Sequence, residues 1–137
     1  MTLTGGCLCG ALRFEITGEI RVHALCLCRT CQKISGGAGN LFIGLAANDF
    51  RYTAGEPRRF TRDARDAPTR EFCADCGVHI AARSPKAPGG IVVKAGALDD
   101  PAAFEGPQLV FWTDEKQPFH TLPEGVRAFP EIPGRER

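Results

Sequence analysis

A mainly β fold, antiparallel and with only short helical turns, is what this sequence predicts, and three observations predict it. Short apolar runs rich in β-branched and aromatic residues recur along the chain. Sixteen glycines and ten prolines are scattered between those runs rather than gathered in one linker. Helical periodicity is sparse. Runs of this length, punctuated by turn formers, are the signature of strands joined by tight connections.

The first strand is expected over Ala11-Leu12-Arg13-Phe14-Glu15-Ile16-Thr17, where small or apolar residues alternate with polar ones and Gly18 supplies the turn. Further strands are expected at Asn40–Leu45, Val78–Ala82, Ile91–Lys94 and Leu109–Thr113, each bounded by Gly, Pro or charge. Phe111 and Trp112 lie on the last of these and are expected to serve the core, since large apolar side chains usually bury. Cys28 to Ile34 predicts a helical turn or two. Asp99–Phe104, with an aspartate cap and an early proline, predicts one short helix. After Pro118 the prolines recur at Pro123, Pro130 and Pro133, so the tail is expected to run extended over the surface, with Gly134 to Arg137 frayed.

The 137 residues suit one domain, with a core over about 3–130, large enough to fold on buried apolar surface. A formal net charge of +1 gives no nucleic-acid footprint and no attraction to anionic lipid. No apolar run approaches the roughly 18 residues of a membrane helix, and the N-terminus has no basic-then-apolar pattern; the expectation is a cytoplasmic protein. In a reducing compartment, seven cysteines in close-set groups point to metal rather than disulfides, and the odd count would strand one thiol in any all-disulfide scheme.

Cys7-Leu8-Cys9 and Cys73-Ala74-Asp75-Cys76 each place two thiols near enough to grip one ion, and each is followed by a glycine, Gly10 and Gly77, suited to a tight knuckle. Structural zinc takes four ligands tetrahedrally, so the two knuckles together would close a coordination shell and staple the fold. Cys26-Leu27-Cys28-Arg29-Thr30-Cys31 offers three thiols and no local fourth ligand. Three protein ligands plus an exchangeable one is the pattern of catalytic zinc.

Three other readings stay open on spacing alone. His23, His79 or His120 could close the second site and make it structural. Cys28-Arg29-Thr30-Cys31 has the spacing of a dithiol redox centre, against which stand the extra Cys26 and the absent βαβ pattern. An iron–sulfur cluster would need a fourth cysteine taken from the first set.

Gly6-Cys7-Leu8-Cys9-Gly10-Ala11-Leu12-Arg13-Phe14, Cys26-Leu27-Cys28-Arg29-Thr30-Cys31 with Gly36-Gly37, and Phe72-Cys73-Ala74-Asp75-Cys76-Gly77 together resemble the glutathione-dependent formaldehyde-activating enzyme family. The resemblance covers roughly residues 3 to 130 and implies an Mss-like zinc-binding β fold. It implies two zincs per chain, a structural one on Cys7, Cys9, Cys73 and Cys76 and a catalytic one on Cys26, Cys28 and Cys31. It further implies a carbon–sulfur lyase, similar to S-(hydroxymethyl)glutathione synthases, that joins a thiol such as glutathione to formaldehyde or a related aldehyde. Asp114-Glu115-Lys116-Gln117-Pro118-Phe119 is similar to a Ser-Lys-x-Pro-Trp segment of the family, with acidic residues before the lysine and Phe119 where tryptophan is usual; Val110 stands where a histidine often does.

A fourth thiolate on an already anionic site needs cationic company, for which Arg29 and Lys33 are the nearest in sequence. His23 is a candidate proton relay, and Lys116, Arg58 or Arg59 are candidate donors to the carboxylates of glutathione. The rival from another class is a non-enzymatic zinc module of the same fold that binds a protein.

Overall fold

The computed structural model describes residues 2–135, and among these the fold is mainly β, with eleven strands and one α-helix. A three-stranded sheet contains β1 (Thr2–Gly6), β2 (Arg13–Thr17) and β5 (Phe50–Ala54), in the order β1-β2-β5. The larger sheet holds β3 (Val22–Cys26), β4 (Asn40–Ala46), β6 (Arg58–Thr61), β7 (Thr69–Phe72), β8 (His79–Arg83), β9 (Gly90–Lys94), β10 (Leu109–Phe111) and β11 (Arg127–Ala128). Its order is β11-β10-β3-β4-β9-β8-β7-β6.

One apolar core lies between the sheets. Phe14 and Ile16 of β2 and Phe50 of β5 meet Ile43 and Leu45 of β4, Ile80 of β8 and Ile91 and Val93 of β9. The alternation that predicted the strands is the alternation of burial: in β2, Phe14 and Ile16 are almost wholly buried while Arg13 and Glu15 are half-exposed. Cys73 is buried in this core, and Cys7 and Cys76 pack against it. The first knuckle therefore sits where the two sheets converge.

The strands pair mainly antiparallel, as the sequence predicts, with β10 lying parallel to both β3 and β11. A parallel neighbour needs a long crossover, and the stretch between β9 and β10, carrying two short 3₁₀ turns, supplies it. The short helix expected in Asp99–Phe104 is a single turn of 3₁₀ helix, Pro101–Ala103, with the early proline and the Asp100 carboxylate accepting from the Ala102 N–H at 3.1 Å. β10 stops at Phe111 because Trp112 takes a left-handed backbone, φ 61°, and opens a 3₁₀ turn at Thr113–Glu115.

Phe111 and Trp112 are only half-buried, with Phe111 stacked on Phe129; the residue of that strand that enters a core is Val110, beside Leu25 and Leu27. The tail does more than cross the surface. Leu122 and Val126 pack on that second cluster, and β11 adds a strand to the sheet. Of the expected frayed end, Glu136 and Arg137 lie outside the described residues, while the Arg135 N–H bonds the Ile132 carbonyl at 2.9 Å. Among the described residues no helix is long and apolar enough to cross a membrane.

Candidate metal centre

The seven cysteines fall into two groups, Cys7, Cys9, Cys73 and Cys76 in one and Cys26, Cys28 and Cys31 in the other, the sulfurs of each lying within 4.8 Å of one another. No histidine, aspartate or glutamate among the described residues joins either group. His23, His79 and His120, each considered above as a closing ligand, are thus placed elsewhere.

Each half of the first group is a turn that its own backbone closes. The Cys7 N–H bonds the Leu12 carbonyl at 3.1 Å and the Gly10 N–H returns to the Cys7 carbonyl at 3.3 Å. In the second turn the Cys73 N–H bonds the Val78 carbonyl at 3.0 Å and the Gly77 N–H bonds the Cys73 carbonyl at 2.9 Å. Gly10 and Gly77 have φ of 84° and 77°, a backbone that a Cβ would strain, which is why both motifs end in glycine. Backbone N–H groups of Leu12 and Cys76 also point at the Cys7 and Cys73 sulfurs, at 3.2 and 3.5 Å. At Cys7 burial works against ionisation, but the Leu12 donor and then the neighbouring thiols outweigh it and lower the pKa.

The donor set fits zinc. A tetrahedron with arms of about 2.3 Å has edges of about 3.8 Å. Cys7 Sγ to Cys9 Sγ and Cys9 Sγ to Cys73 Sγ both measure 3.7 Å. The group is shielded unevenly, with Cys73 buried and Cys9 exposed.

The second group is assembled at the junction of β3 with α1 (Arg29–Ile34). Cys26 ends the strand, Cys28 is the helix N-cap and Cys31 lies in its first turn. Between them Leu27 is fully buried in the second apolar cluster, and its anchoring fixes the direction of the two flanking thiols. The Cys28 sulfur accepts from the Cys31 N–H at 3.3 Å. Donation from Cys26 and then Cys31 holds the Cys28 thiol far below its usual range, against the cost of burial. The same contacts with Cys28 and Cys31, together with burial, push the Cys26 thiol far up. Three thiols this close cannot all ionise unless a cation is added.

The cation facing this group is Lys94, not Arg29 or Lys33. Its ammonium donates to Asn40 Oδ1 at 2.7 Å and interacts favourably with the charges of Cys31, Cys26 and Cys28. Burial nevertheless pulls Lys94 down to about 8. Lys33 is exposed, and the Arg29 guanidinium turns back onto Gln32 Oε1 in its own helix. The sequence signal for Lys94 was present but faint: a lysine closing an apolar run and followed by Ala95-Gly96-Ala97, where few water contacts are available.

Two further residues missed in the sequence hold the loop. Gln32, 2 % exposed, donates through Nε2 to the carbonyls of Leu27 and Glu115, both at 2.8 Å. The Glu115 carboxylate accepts from the Arg29 N–H at 2.7 Å and so caps the helix from the C-terminal segment. This gives the acidic departure in that segment a role.

The histidines are accounted for differently. His23 Nδ1 accepts from the Glu105 N–H at 3.1 Å, which ties it to the crossover and not to the thiols. His120 accepts from the Gln117 N–H at 2.9 Å and contacts the Gly37 carbonyl at 2.6 Å through Nε2, pinning the Gly36-Gly37 turn after the helix. His79 lines an open groove, with Lys94 and Asn40 in one direction and Arg58 and Arg59 in the other. Lys116 is exposed in the segment that carries Glu115.

Comparison with known proteins agrees with this geometry. The model of the family described as glutathione-dependent formaldehyde-activating enzyme matches residues 2–115. Among solved structures, the crystal structure of a Rhodobacter sphaeroides protein is similar, with a TM-score of 0.58 and 20% sequence identity, over 75% of this chain and 95% of that one. At that identity the likeness is one of fold.

Proposed function

Because the chain belongs to the glutathione-dependent formaldehyde-activating enzyme family, we propose that it is a zinc-dependent carbon–sulfur lyase-type enzyme adding a thiol, glutathione in the first instance, to formaldehyde or a related small aldehyde. The single observation that carries this reading is the three-cysteine group of Cys26, Cys28 and Cys31, which no fourth protein ligand completes among the described residues and which Lys94 faces. Cys7, Cys9, Cys73 and Cys76 would hold a structural zinc, with no position for a substrate. Cys26, Cys28 and Cys31 would hold the catalytic one. The ion in the second site would supply the positive charge that keeps an incoming thiol ionised at neutral pH and near the aldehyde.

The residues of the chain do the rest. Lys94 offsets the charge that a fourth thiolate adds, and its bond to Asn40 fixes where that offset lies. Gln32 and Glu115 keep the three sulfurs converging by tying α1 to Leu27 and to the C-terminal segment. A carbon–sulfur bond forms between the thiol sulfur and the carbonyl carbon, and the proton lost by the thiol ends on the adduct oxygen. The product is an S-hydroxymethyl thioether, and the reverse reaction breaks the same bond.

The test is proton exchange NMR on glutathione and formaldehyde mixed with the zinc-loaded protein. Adduct formation is expected to outrun the spontaneous reaction, and Cys28→Ser is expected to abolish the gain. An unchanged spontaneous rate overturns the enzymatic reading.

A further inference from the structure

The β-ladder registers run one unbroken row across six strands of the large sheet. Phe60 of β6 faces Arg70, Arg70 faces Ala82, Ala82 faces Val92, Val92 faces Gly44, and Gly44 faces Val22 of β3. The row one residue along, through Glu71, Ala81, Val93 and Ile43, is buried on the side of the small sheet. Side chains alternate between faces along a strand, so the first row lies on the outer face. Val22, Ala82 and Val92 are only half-buried there and Phe60 is 57 % exposed; none of the four belongs to either apolar cluster.

Two features set this face apart from a solvated one. Where β2 turns Arg13 and Glu15 away from the core, β4 and β9 turn out Phe42, Gly44 and Val92, and both strands read as nearly continuous apolar runs. Continuous runs are the pattern of strands covered on both sides. The charges of the face also have one sign. By register Arg58 lies beside Phe72, Arg70 beside Phe60 and Lys94 beside Phe42, and no acidic residue holds an outer position between β3 and β6. Glu71, the acid of β7, is spent on the other side with Tyr52 and Arg83, and Arg58 and Arg70 form no salt bridge among the described residues. His79, opposite Phe72, reports the same imbalance: burial, then Lys94 and Arg70, lowers its pKa, and its buried Nδ1 has no hydrogen-bond partner.

Sheet faces are closed by helices or by a second sheet. A second copy of this chain would set these cations against their own counterparts, and like charges across an interface reject the partner. Met1, Glu136 and Arg137, the residues outside the described range, are too few to cover six strands. We propose that the outer face of β3, β4, β9, β8, β7 and β6 docks an amphipathic helix of another protein, its apolar side on the row from Val22 to Phe60 and its carboxylates on Arg58 and Arg70. The row spans five strand spacings, about 24 Å, which is about 16 residues of helix. Gly44 and Ala82 near its middle let a helix come close. Cys26 and Asn40 lie on the same face but four residues further along their strands, about 14 Å, so the metal centre stays open beside the docked helix. The docking surface stands apart from the chemistry proposed for the three cysteines.

The probe is a synthetic helical peptide of about 16 residues with leucines along one side and glutamates elsewhere, alongside a twin carrying lysine for every glutamate. Titrated into the zinc-loaded protein, the acidic peptide should shift the backbone NMR signals of Gly44, Ala82 and Val92, bind at least tenfold more tightly than its basic twin, and weaken as salt is raised. The double variant Arg58→Glu, Arg70→Glu should bind it at least tenfold more weakly, and so should Val92→Glu, with melting curves confirming that both variants fold. No binding, equal binding of the two peptides, or binding that the double variant leaves unchanged overturns the proposal. It is equally overturned by tighter binding of a single-stranded oligouridylate, or by sedimentation of the protein as a dimer that Val92→Glu splits, since a second copy would then hold the face.

Discussion

The Lys94 ammonium donates to Asn40 Oδ1 over 2.7 Å, and Asn40 stands directly opposite Cys26 on the neighbouring strand. A positive charge is thereby fixed beside the three-cysteine group by a residue sixty-eight positions from Cys26 in the chain.

Replacing that charge by an isosteric apolar side chain separates electrostatics from packing. Lys94→Met should lower kcat/KM for thiol addition about tenfold, equivalent to about 1.4 kcal/mol of transition-state stabilisation. Thermal stability should shift by no more than a few degrees, since methionine fills similar volume. Steady-state kinetics alongside a melting curve check both halves.

The two cysteine groups should respond differently to loss of a ligand. Cys73→Ser opens the clasp between the sheets at a position in the core, and should cost several kcal/mol or prevent folding. Cys28→Ser should leave one zinc per chain, a folded protein and no turnover. Metal analysis and thermal melts of the two variants test this, and a matched loss of stability in both would falsify the division of labour.

Gln32 is placed to be costly to remove. Gln32→Leu keeps the volume but removes the donor to the Leu27 carbonyl and one of the two donors to the Glu115 carbonyl, which keeps Gln117 Nε2 at 3.3 Å. Stability should fall by about 1–3 kcal/mol, the penalty of leaving one buried acceptor unpaired. Urea denaturation of the zinc-loaded proteins measures it. Activity should fall as well, because the Glu115 cap on the Arg29 N–H is loosened with the same segment.

Tyr52 is the protein's single tyrosine, so its phenolate absorbance reports one site. Burial first, then the charge of Glu71 and the 2.9 Å bond to it, raise its ionisation far above the usual phenol range. The folded state thus keeps the proton that the unfolded chain releases near pH 10. This contribution to stability is complete below about pH 10 and declines as pH rises beyond it. An alkaline titration followed at the phenolate band should show no ionisation until the protein unfolds, and Glu71→Gln should bring the onset to lower pH.

What could be read in the sequence was what depends on neighbours in the chain. The runs at Asn40–Leu45 and Ile91–Lys94 became β4 and β9 because β-branched and apolar residues there needed burial. The knuckles were legible because two thiols and a glycine at fixed spacing determine a local turn. β6 was not legible, since all four of its side chains are exposed and two are arginines, so nothing in it alternates. β3 was obscured by His23 and Cys26, polar or reactive residues that are buried for reasons outside the strand.

The same limit applied to the site. The three cysteines announced themselves, but Lys94 and Glu115 come to them only through strand register and long-range bonds, and Gln32, next to Cys31, shows its role only through what its Nε2 bonds. Arg29 and Lys33 were nearer in sequence, yet the helix turns one onto Gln32 and leaves the other in water. Val110 is fully buried beside Leu25 and Leu27, so that position serves a second core rather than the site.

The clasp made by Cys7 and Cys9 with Cys73 and Cys76 joins segments more than sixty residues apart. During synthesis the leading hairpin of β1 and β2 must therefore wait, unlocked, until the ribosome has delivered Cys76. With the structural zinc proposed for this clasp, metal supply at that moment would govern how long the nascent chain exposes the apolar side of that hairpin, and a cell short of the ion would accumulate this protein as a target for chaperones.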